Sequence, residues 1–322
     1  MAKYLLKRTL MIFLIVLCVT FVLFALMYAL PASRIQTMPM YGGGDALDAI
    51  FALFNASDNM MTKFIRYVCN ILFRLDFGRN IAGHSLYVEL SRHAMTTLIL
   101  VSGSVVVTLL VGIPIGMYAA VRKDSKGDRA ITVLSLLLSS IPPYTLALLI
   151  AIFFVLYLGL LPILYVTATP AMYAMPVLTI ALGAISSIAR MTRTSMLEVL
   201  EQPFITALYA RGLSEANVIC RHAFKNALTP VLSVMGGFIA QMLCGAFVVE
   251  HFFNIRGLGF YILRSVSLRN HYEVLGSTVM ITVMLAALNI VIDLLYALVN
   301  PKIRLRFAGD GNSKPEKQRR YE

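Results

Sequence analysis

The stretch Glu201-Gln202-Pro203-Phe204-Ile205-Thr206-Ala207-Leu208-Tyr209-Ala210-Arg211-Gly212-Leu213-Ser214-Glu215, which runs on as Ala-Asn-Val-Ile-Cys-Arg-His-Ala-Phe-Lys-Asn-Ala-Leu-Thr to Pro230, decides how the chain is read. It is the longest non-hydrophobic segment in the second half of a very hydrophobic sequence. Its spacing predicts two short helices with a break between them. Pro203 suits a first helical turn, where its missing N–H costs nothing. Phe204, Ala207 and Leu208 fall at i, i+3 and i+4 and so share one face. Gly212 can take the left-handed conformation that ends a helix, with Leu213 covering that end. Ser214 is a good N-cap for a second helix, and Glu215 suits its first turn. Arg221 and Lys225 are expected near the far end of that helix, where positive charge is favoured. A helix–Gly–helix unit between apolar spans is a rigid shape offered to something outside a bilayer.

Composition makes the bilayer the natural setting. The chain has 322 residues, 59% hydrophobic and only 14% charged, a balance that excludes an ordinary soluble domain. The net charge of +12 comes from 28 basic and 16 acidic side chains. Nucleic acid is not needed to explain it, because 19 of the basic residues fall in the N-terminus, 122–129, 189–226 and the tail, against 9 elsewhere. That bias is the positive-inside pattern, and it places both termini and the Glu201–Pro230 stretch in the cytoplasm. Cys18, Cys69, Cys220 and Cys244 have no CxxC spacing and are read as small apolar fillers.

Six spans are expected. The first runs from about Thr9 to Leu30, too long for a signal-peptide core and followed by Pro31. Residues 31–94 read as an outer segment of loops and short helices. Within it, Gly42-Gly43-Gly44-Asp45 fits the GxGD pattern of intramembrane aspartyl proteases but lies outside any expected span, so it is read as a turn. The other spans are expected at about 95–121, 130–160, 174–196, 227–249 and 275–299. Gly112-Ile113-Pro114-Ile115-Gly116 reads as a packing kink in the second. Pro142 and Pro143 remove two donors within the third and are candidates for the wall of a cavity. Asn289 and Asp293 lie four residues apart on one face of the sixth. Asp293 is the one clear intramembrane carboxylate, and such a residue marks a helix contact or a solute path.

The motif Thr206-Ala207-Leu208-Tyr209-Ala210-Arg211-Gly212-Leu213-Ser214, followed by Arg221-His222-Ala223-Phe224-Lys225-Asn226-Ala227-Leu228-Thr229-Pro230, resembles the EAA-type coupling loop of ABC-importer permeases. The closer resemblance is to the dipeptide/oligopeptide/nickel permeases, in which a Lys usually stands at the position of Arg211. Leu75-Asp76-Phe77-Gly78-Arg79 with Gly83, the Gly112–Gly116 and Ser140-Ile141-Pro142 elements, Leu158-Gly159-Leu160-Leu161-Pro162 and Gly257-Leu258-Gly259 are similar to motifs of the same family. Arg256 replaces a usual Pro. The resemblance covers about Tyr4 to Arg306. It implies an all-α integral membrane protein with six transmembrane helices and a cytoplasmic coupling helix. Residues 1–94 would form the first span and outer segment, 95–306 the core permease domain and 307–322 a cytoplasmic tail. Thr206, Ala207, Ala210, Arg211, Gly212 and Leu213 would couple to an ATPase; Pro142, Pro143, Asn289 and Asp293 are translocation-path candidates. The implied partners are a homologous second permease subunit, two cytoplasmic ATPase subunits, an extracytoplasmic substrate-binding protein and membrane lipid.

No P-loop, HExxH or GxSxG is present, and the five histidines are scattered. The chain is therefore read as no enzyme, with no metal site and no cofactor of its own, ATP and Mg belonging to partner subunits. The expected function is the permease subunit of an ATP-driven, binding-protein-dependent importer in the cell membrane of a prokaryote. Peptides are the expected solute, with nickel chelates or another small solute as the alternative. An ion-coupled secondary carrier is the alternative of another class. It requires intramembrane charge, of which Asp293 alone is clear.

Overall fold

A computed structural model describes residues 2–29, 59–78, 84–159, 170–268 and 270–299. The described residues are almost entirely helical and contain no β-strand. In order they form α1 (Ala2–Ala29), α2 (Met60–Arg74), α3 (Leu86–Val121), α4 (Lys126–Ser140), α5 (Pro143–Ala151), α6 (Ala174–Leu200), α7 (Pro203–Ala210), α8 (Glu215–Phe252), α9 (Leu258–Ser267) and α10 (His271–Val299). Four of these, α3, α6, α8 and the Glu273–Ile292 part of α10, are long and apolar enough to cross a membrane. The bent pair α4–α5 makes a fifth if counted as one span. In α1 the described apolar stretch is Phe13–Leu26, shorter than a span, so the expected six is not reached on these residues.

Several boundaries differ from expectation for physical reasons. The second span starts at Leu86 rather than Met95, because Glu89, Arg92 and His93 are compatible with helix even though they interrupt the apolar run. The charged loop after it shrinks to four residues. Ser125 caps α4 by accepting from the Asp128 N–H at 3.1 Å, while the Asp128 carboxylate accepts from the Asp124 N–H at 3.0 Å. The third span is not one broken helix. Pro142 occupies an N-cap and Pro143 the first turn of α5, so neither interrupts a hydrogen-bond ladder, and the chain turns by 108° there. Gly42–Asp45, Arg79, Gly83, Leu160–Pro162, Asn300–Lys302 and the 307–322 tail lie outside the described residues.

The core is built on close helix approach. Gly103, Gly112 and Gly116 of α3 face α6. A Cβ on Gly112 would sit 3.2 Å from the Ile185 carbonyl oxygen and from Ile188 Cγ2. A Cβ on Gly116 would overlap the Ala189 carbonyl and come within 2.7 Å of Thr192 Cβ. Small residues four apart thus let two backbones nearly touch, and Pro114 between them leaves α3 continuous. Leu100, Val101, Met175, Ile188, Val231, Met235 and Ala246 fill the space between α3, α6 and α8. The four cysteines, expected as small apolar fillers, are free and exposed on their helices.

Candidate functional site

The unit at 201–218 sits on one end of the helix bundle. Gln202 is extended, Pro203 opens α7, and the helix closes at Gly212 with φ +80°. The Leu213 N–H reaches the Leu208 carbonyl at 3.4 Å and the Gly212 N–H reaches the Tyr209 carbonyl at 2.9 Å. This 6→1 and 5→2 pair is the Schellman cap, and Leu213 lies in the same apolar cluster as Leu208. The predicted glycine end is therefore found as read. Of the face shared by Phe204, Ala207 and Leu208, only Leu208 packs on the bundle. Ile205 is the buried residue and Leu208 and Leu213 are half-buried, packed with Ala120, Met196, Val199 and Val218. Phe204 and Ala207 are exposed, along with Thr206, Tyr209, Ala210 and Arg211. An apolar cluster on the bundle selects the Ile205–Leu208 spacing over the Phe204–Ala207 spacing.

The second helix is also not short. Ser214 has N-cap backbone angles but its side chain makes no cap bond. From Glu215 the helix passes through a wide π-type turn at Val218–Ala223 and continues to Phe252. Arg221 and Lys225 consequently stand early in a long helix, not at its end. Beside this unit, Arg193 of α6 grips Asp128 through two nitrogens, at 2.5 and 2.7 Å, with Asp128 only 1% exposed. Arg190 one turn earlier donates to the Ser135 carbonyl at 3.0 Å and to Ser139 Oγ at 2.7 Å. The Lys123–Glu201 pair, 3.2 Å apart, is exposed on both sides and contributes little. The Asp128–Arg193 lock was missed in the sequence, although Ser125-x-x-Asp128 has the form of a capping box.

The path candidates separate. Pro142 and Pro143 are exposed at the α4–α5 bend, and Pro143 Cγ lies 3.9 Å from where a Cβ on Gly245 of α8 would be. Asn289 is half-buried; its Nδ2 donates to the Leu285 carbonyl at 2.9 Å, and its Oδ1 would meet a Cβ on Gly236 at 2.9 Å. It fits a notch in α8. Asp293 is on α10, but its side chain lies outside those described.

At the opposite end a buried carboxylate organises a helix that the sequence did not announce. Glu250 is 0% exposed. Its Oε2 accepts from the Gly259 and Phe260 N–H groups at 2.8 and 3.1 Å, and its Oε1 accepts from Thr97 Oγ at 2.5 Å. Thr97 Oγ in turn accepts from the Leu258 N–H at 2.8 Å. Three orphan donors of the α9 N-terminus are thus satisfied, and the carboxylate sits at the positive end of the helix dipole. A Cβ on Gly257 would overlap the Glu250 carboxyl, and one on Gly259 would overlap Phe247, which explains glycine at both positions of Gly257-Leu258-Gly259. One turn along α3, His93 Nδ1 meets the Arg256 carbonyl at 2.7 Å and its ring lies 4.7 Å from that of Tyr261. Burial, reinforced by the negative charges of Glu273 and Glu89, pushes the Tyr261 hydroxyl above its ordinary range. With Arg256 in place of the usual Pro the loop still closes, because its carbonyl rather than its side chain is the group held.

Thr97→Val keeps the side-chain shape and removes the hydroxyl. The Leu258 N–H and Glu250 Oε1 then lose a partner in a buried site, at a cost of about 1–3 kcal/mol. The thermal midpoint of the detergent-solubilised protein should fall, and Thr97→Ser should recover most of it. An unchanged midpoint for Thr97→Val would mean that these bonds contribute nothing.

A family model described as the binding-protein-dependent transport system inner membrane component matches residues 112–305. The dipeptide transport system permease protein of Bacillus subtilis is 34% identical over 96% of this chain and 100% of its own length. The glutathione transport system permease protein of Salmonella paratyphi A is 30% identical, covering 95% and 100%. An oligopeptide transport system permease protein of Bacillus subtilis is 29% identical, covering 94% and 99%. Among solved structures, the inward-facing MetNI methionine ABC transporter matches with a TM-score of 0.54 at 20% identity, over 66% of this chain and 96% of that one.

Proposed function

The chain belongs to the family of binding-protein-dependent transport system inner membrane components, and from that premise we propose that it is the permease subunit of an ATP-driven importer of peptides. The observation that carries the reading is the α7 platform. Ile205 fixes it to the bundle, the Gly212 cap fixes its length, and Phe204, Ala207, Tyr209 and Arg211 are left exposed. Two exposed aromatics, Phe204 and Tyr209, on a short rigid helix that ends at the exposed Arg211 suit a cleft in another protein rather than lipid. The ATPase cleft is the proposed occupant, with Thr206, Ala207, Ala210, Arg211, Gly212 and Leu213 as the coupling residues. Two such ATPases, a homologous second permease and a substrate-binding protein complete the assembly. ATP and Mg are bound by the ATPases, and this chain binds no cofactor. Peptides are the proposed solute because the relatives are named for dipeptides, oligopeptides and glutathione.

The mechanism follows from rigidity. ATP-driven closure of the ATPases moves α7; α7 is joined to α8 by the short Arg211–Ser214 link, and Ile205 and Leu208 pack in one cluster with Val218 of α8. The bundle then passes between two states of similar free energy, biased by ATP. We place six spans in the protein, counting α1 and the α4–α5 pair, with 95–306 as the core and 1–94 and 307–322 flanking it. Pro142, Pro143, Asn289 and Asp293 are kept as path candidates. Uptake of labelled dipeptide by cells carrying the full system should stop on ATP depletion and persist when the proton gradient is collapsed. The reverse result would favour an ion-coupled carrier.

Both termini and α7 are placed in the cytoplasm. Cys220, exposed close after α7, should then resist a membrane-impermeant thiol reagent in sealed cells and react after permeabilisation once the ATPases are stripped. Cys69, on α2, is placed on the outer side of the membrane. Cys18 and Cys244 lie within apolar helices and should react poorly in both states. Labelling of Cys220 in sealed cells would put α7 on the wrong side for any ATPase.

A further inference from the structure

The helix α2, Met60-Met-Thr-Lys-Phe-Ile-Arg-Tyr-Val-Cys-Asn-Ile-Leu-Phe-Arg74, carries two edges with different chemistry. Phe64 is buried against α1, its ring 5.1 Å from that of Phe21 and 5.7 Å from that of Phe24. Met61, Ile65 and Leu72, at i, i+4 and i+11, share an adjacent edge and are 50–55% exposed. Arg66 and Arg74 stand on the opposite edge beside Lys63, which is itself buried, and the helix has no acidic residue. Half of its apolar surface is therefore covered by the protein and half is not.

The depth of the contact identifies what covers the rest. Phe24 lies five residues before Ala29, the end of α1, which at 1.5 Å per residue is roughly 7.5 Å from that end. Leu275 of α10, which belongs to the same cluster as Phe24 and Phe64, lies four residues inside the start of its helix, roughly 6 Å. Two independent helices thus place α2 one to two turns below their ends. An amphipathic helix in a bilayer interface sits with its apolar face about 5–10 Å into the headgroup and acyl boundary. The exposed edge is also continuous in kind with the lipid-ready side of α1, where Leu14, Ile15, Val22 and Leu26 are 56–60% exposed.

We propose that α2 lies in the plane of the membrane interface, with Met61, Ile65 and Leu72 in the acyl boundary and the Arg66–Arg74 edge on phospholipid phosphates. The basic side chains can extend toward that layer while their stems stay on apolar surface. The inference extends the membrane reading and is independent of the transported solute, so uptake measured in parallel tests the transport reading separately.

The chain contains no tryptophan, which supplies a clean probe. Ile65→Trp and Arg66→Trp, both at exposed positions, are purified as the full chain and reconstituted in phosphatidylcholine vesicles. Brominated phosphatidylcholine should quench the emission of Ile65→Trp several-fold more than that of Arg66→Trp, and aqueous iodide should show the opposite order. Met61→Trp, one turn earlier on the same edge, should repeat the Ile65→Trp pattern and guards against local misfolding of one variant. Iodide access to the Trp at 61 and 65 would place that edge in water and overturn the proposal. Shielding from both quenchers would mean that protein covers it, and would overturn the proposal equally.

Discussion

Gly116→Val is expected to yield a chain that inserts into membranes but does not form a stable bundle. The Cβ alone would overlap the Ala189 carbonyl, and Thr192 Cβ stands 2.7 Å away. Both obstacles belong to the α6 backbone or to the base of a side chain, so no rotamer change removes them. The helices must separate, and separation opens the seam that Leu100, Val101, Ile188 and Met175 fill. Overpacking in a dense core typically costs about 1–3 kcal/mol, and a backbone obstacle belongs at or above the top of that range. The shift also reaches Arg193, one residue past Thr192, whose two bonds to Asp128 hold the start of α4. Membrane fractions should contain the variant, while monodisperse protein after detergent extraction should be nearly lost. Gly183→Val, at a glycine of α6 with nothing within 4 Å of its would-be Cβ, should behave close to the parent. Equal yields for the two variants would refute the close-approach argument.

Gly212→Val is expected to do the opposite, leaving the bundle intact and abolishing uptake. Nothing lies within 4 Å of a Cβ at this position, so the objection is to the backbone alone. A φ of +80° disfavours any L-residue by about 1–2 kcal/mol, and a β-branched one most. The cheapest relief is to abandon the cap, which frees the Leu208 and Tyr209 carbonyls and lets Leu213 leave its cluster. The exposed face of α7 then loses its fixed tilt, though Ile205 still tethers it. Thermal stability should change little, uptake should fall to background, and ATPase subunits should co-purify poorly. Gly212→Asn should retain more activity than Gly212→Val, since Asn tolerates the left-handed region. Normal uptake by Gly212→Val would remove α7 from the coupling path.

What the sequence made legible was local. The Gly212 end of α7 and the Pro203 start depend on residues within six positions of each other, and both were found as read. Which face of α7 is buried depends on Ala120, Met196 and Val218, brought from three other helices, so the shared face of Phe204, Ala207 and Leu208 was legible and its burial was not. Pro142-Pro143 marked a break, but the 108° turn there and the packing of α5 on α6 and α8 were not legible from the two prolines alone. Glu250 falls one residue past the expected 227–249 span. Its partners are Thr97, more than 150 residues away, and backbone N–H groups that carry no side-chain signal at all. The ten-residue α9 was invisible for a related reason: it is too short to read as a span, and its start is capped by a side chain from the preceding helix rather than by a local Ser or Asp.

The unbroken run of α8 turns the protein into a lever. Its 38 residues span roughly 57 Å at 1.5 Å per residue, more than the ~40–45 Å thickness of a whole bilayer with its headgroups. One end begins three residues after the Gly212 cap; the other carries Glu250, clamped onto the start of α9. A rod held at both ends cannot absorb a displacement along its length, so a tilt imposed at α7 arrives at α9 with its amplitude set by the position of the pivot. Near the midpoint of the rod Gly236 receives Asn289 of α10, and a pivot at that contact would swing the two ends in opposite directions by comparable amounts. The wide turn at Val218–Ala223 lies close to the driven end, and its compliance determines how much of the input stroke is lost before the rod begins to move.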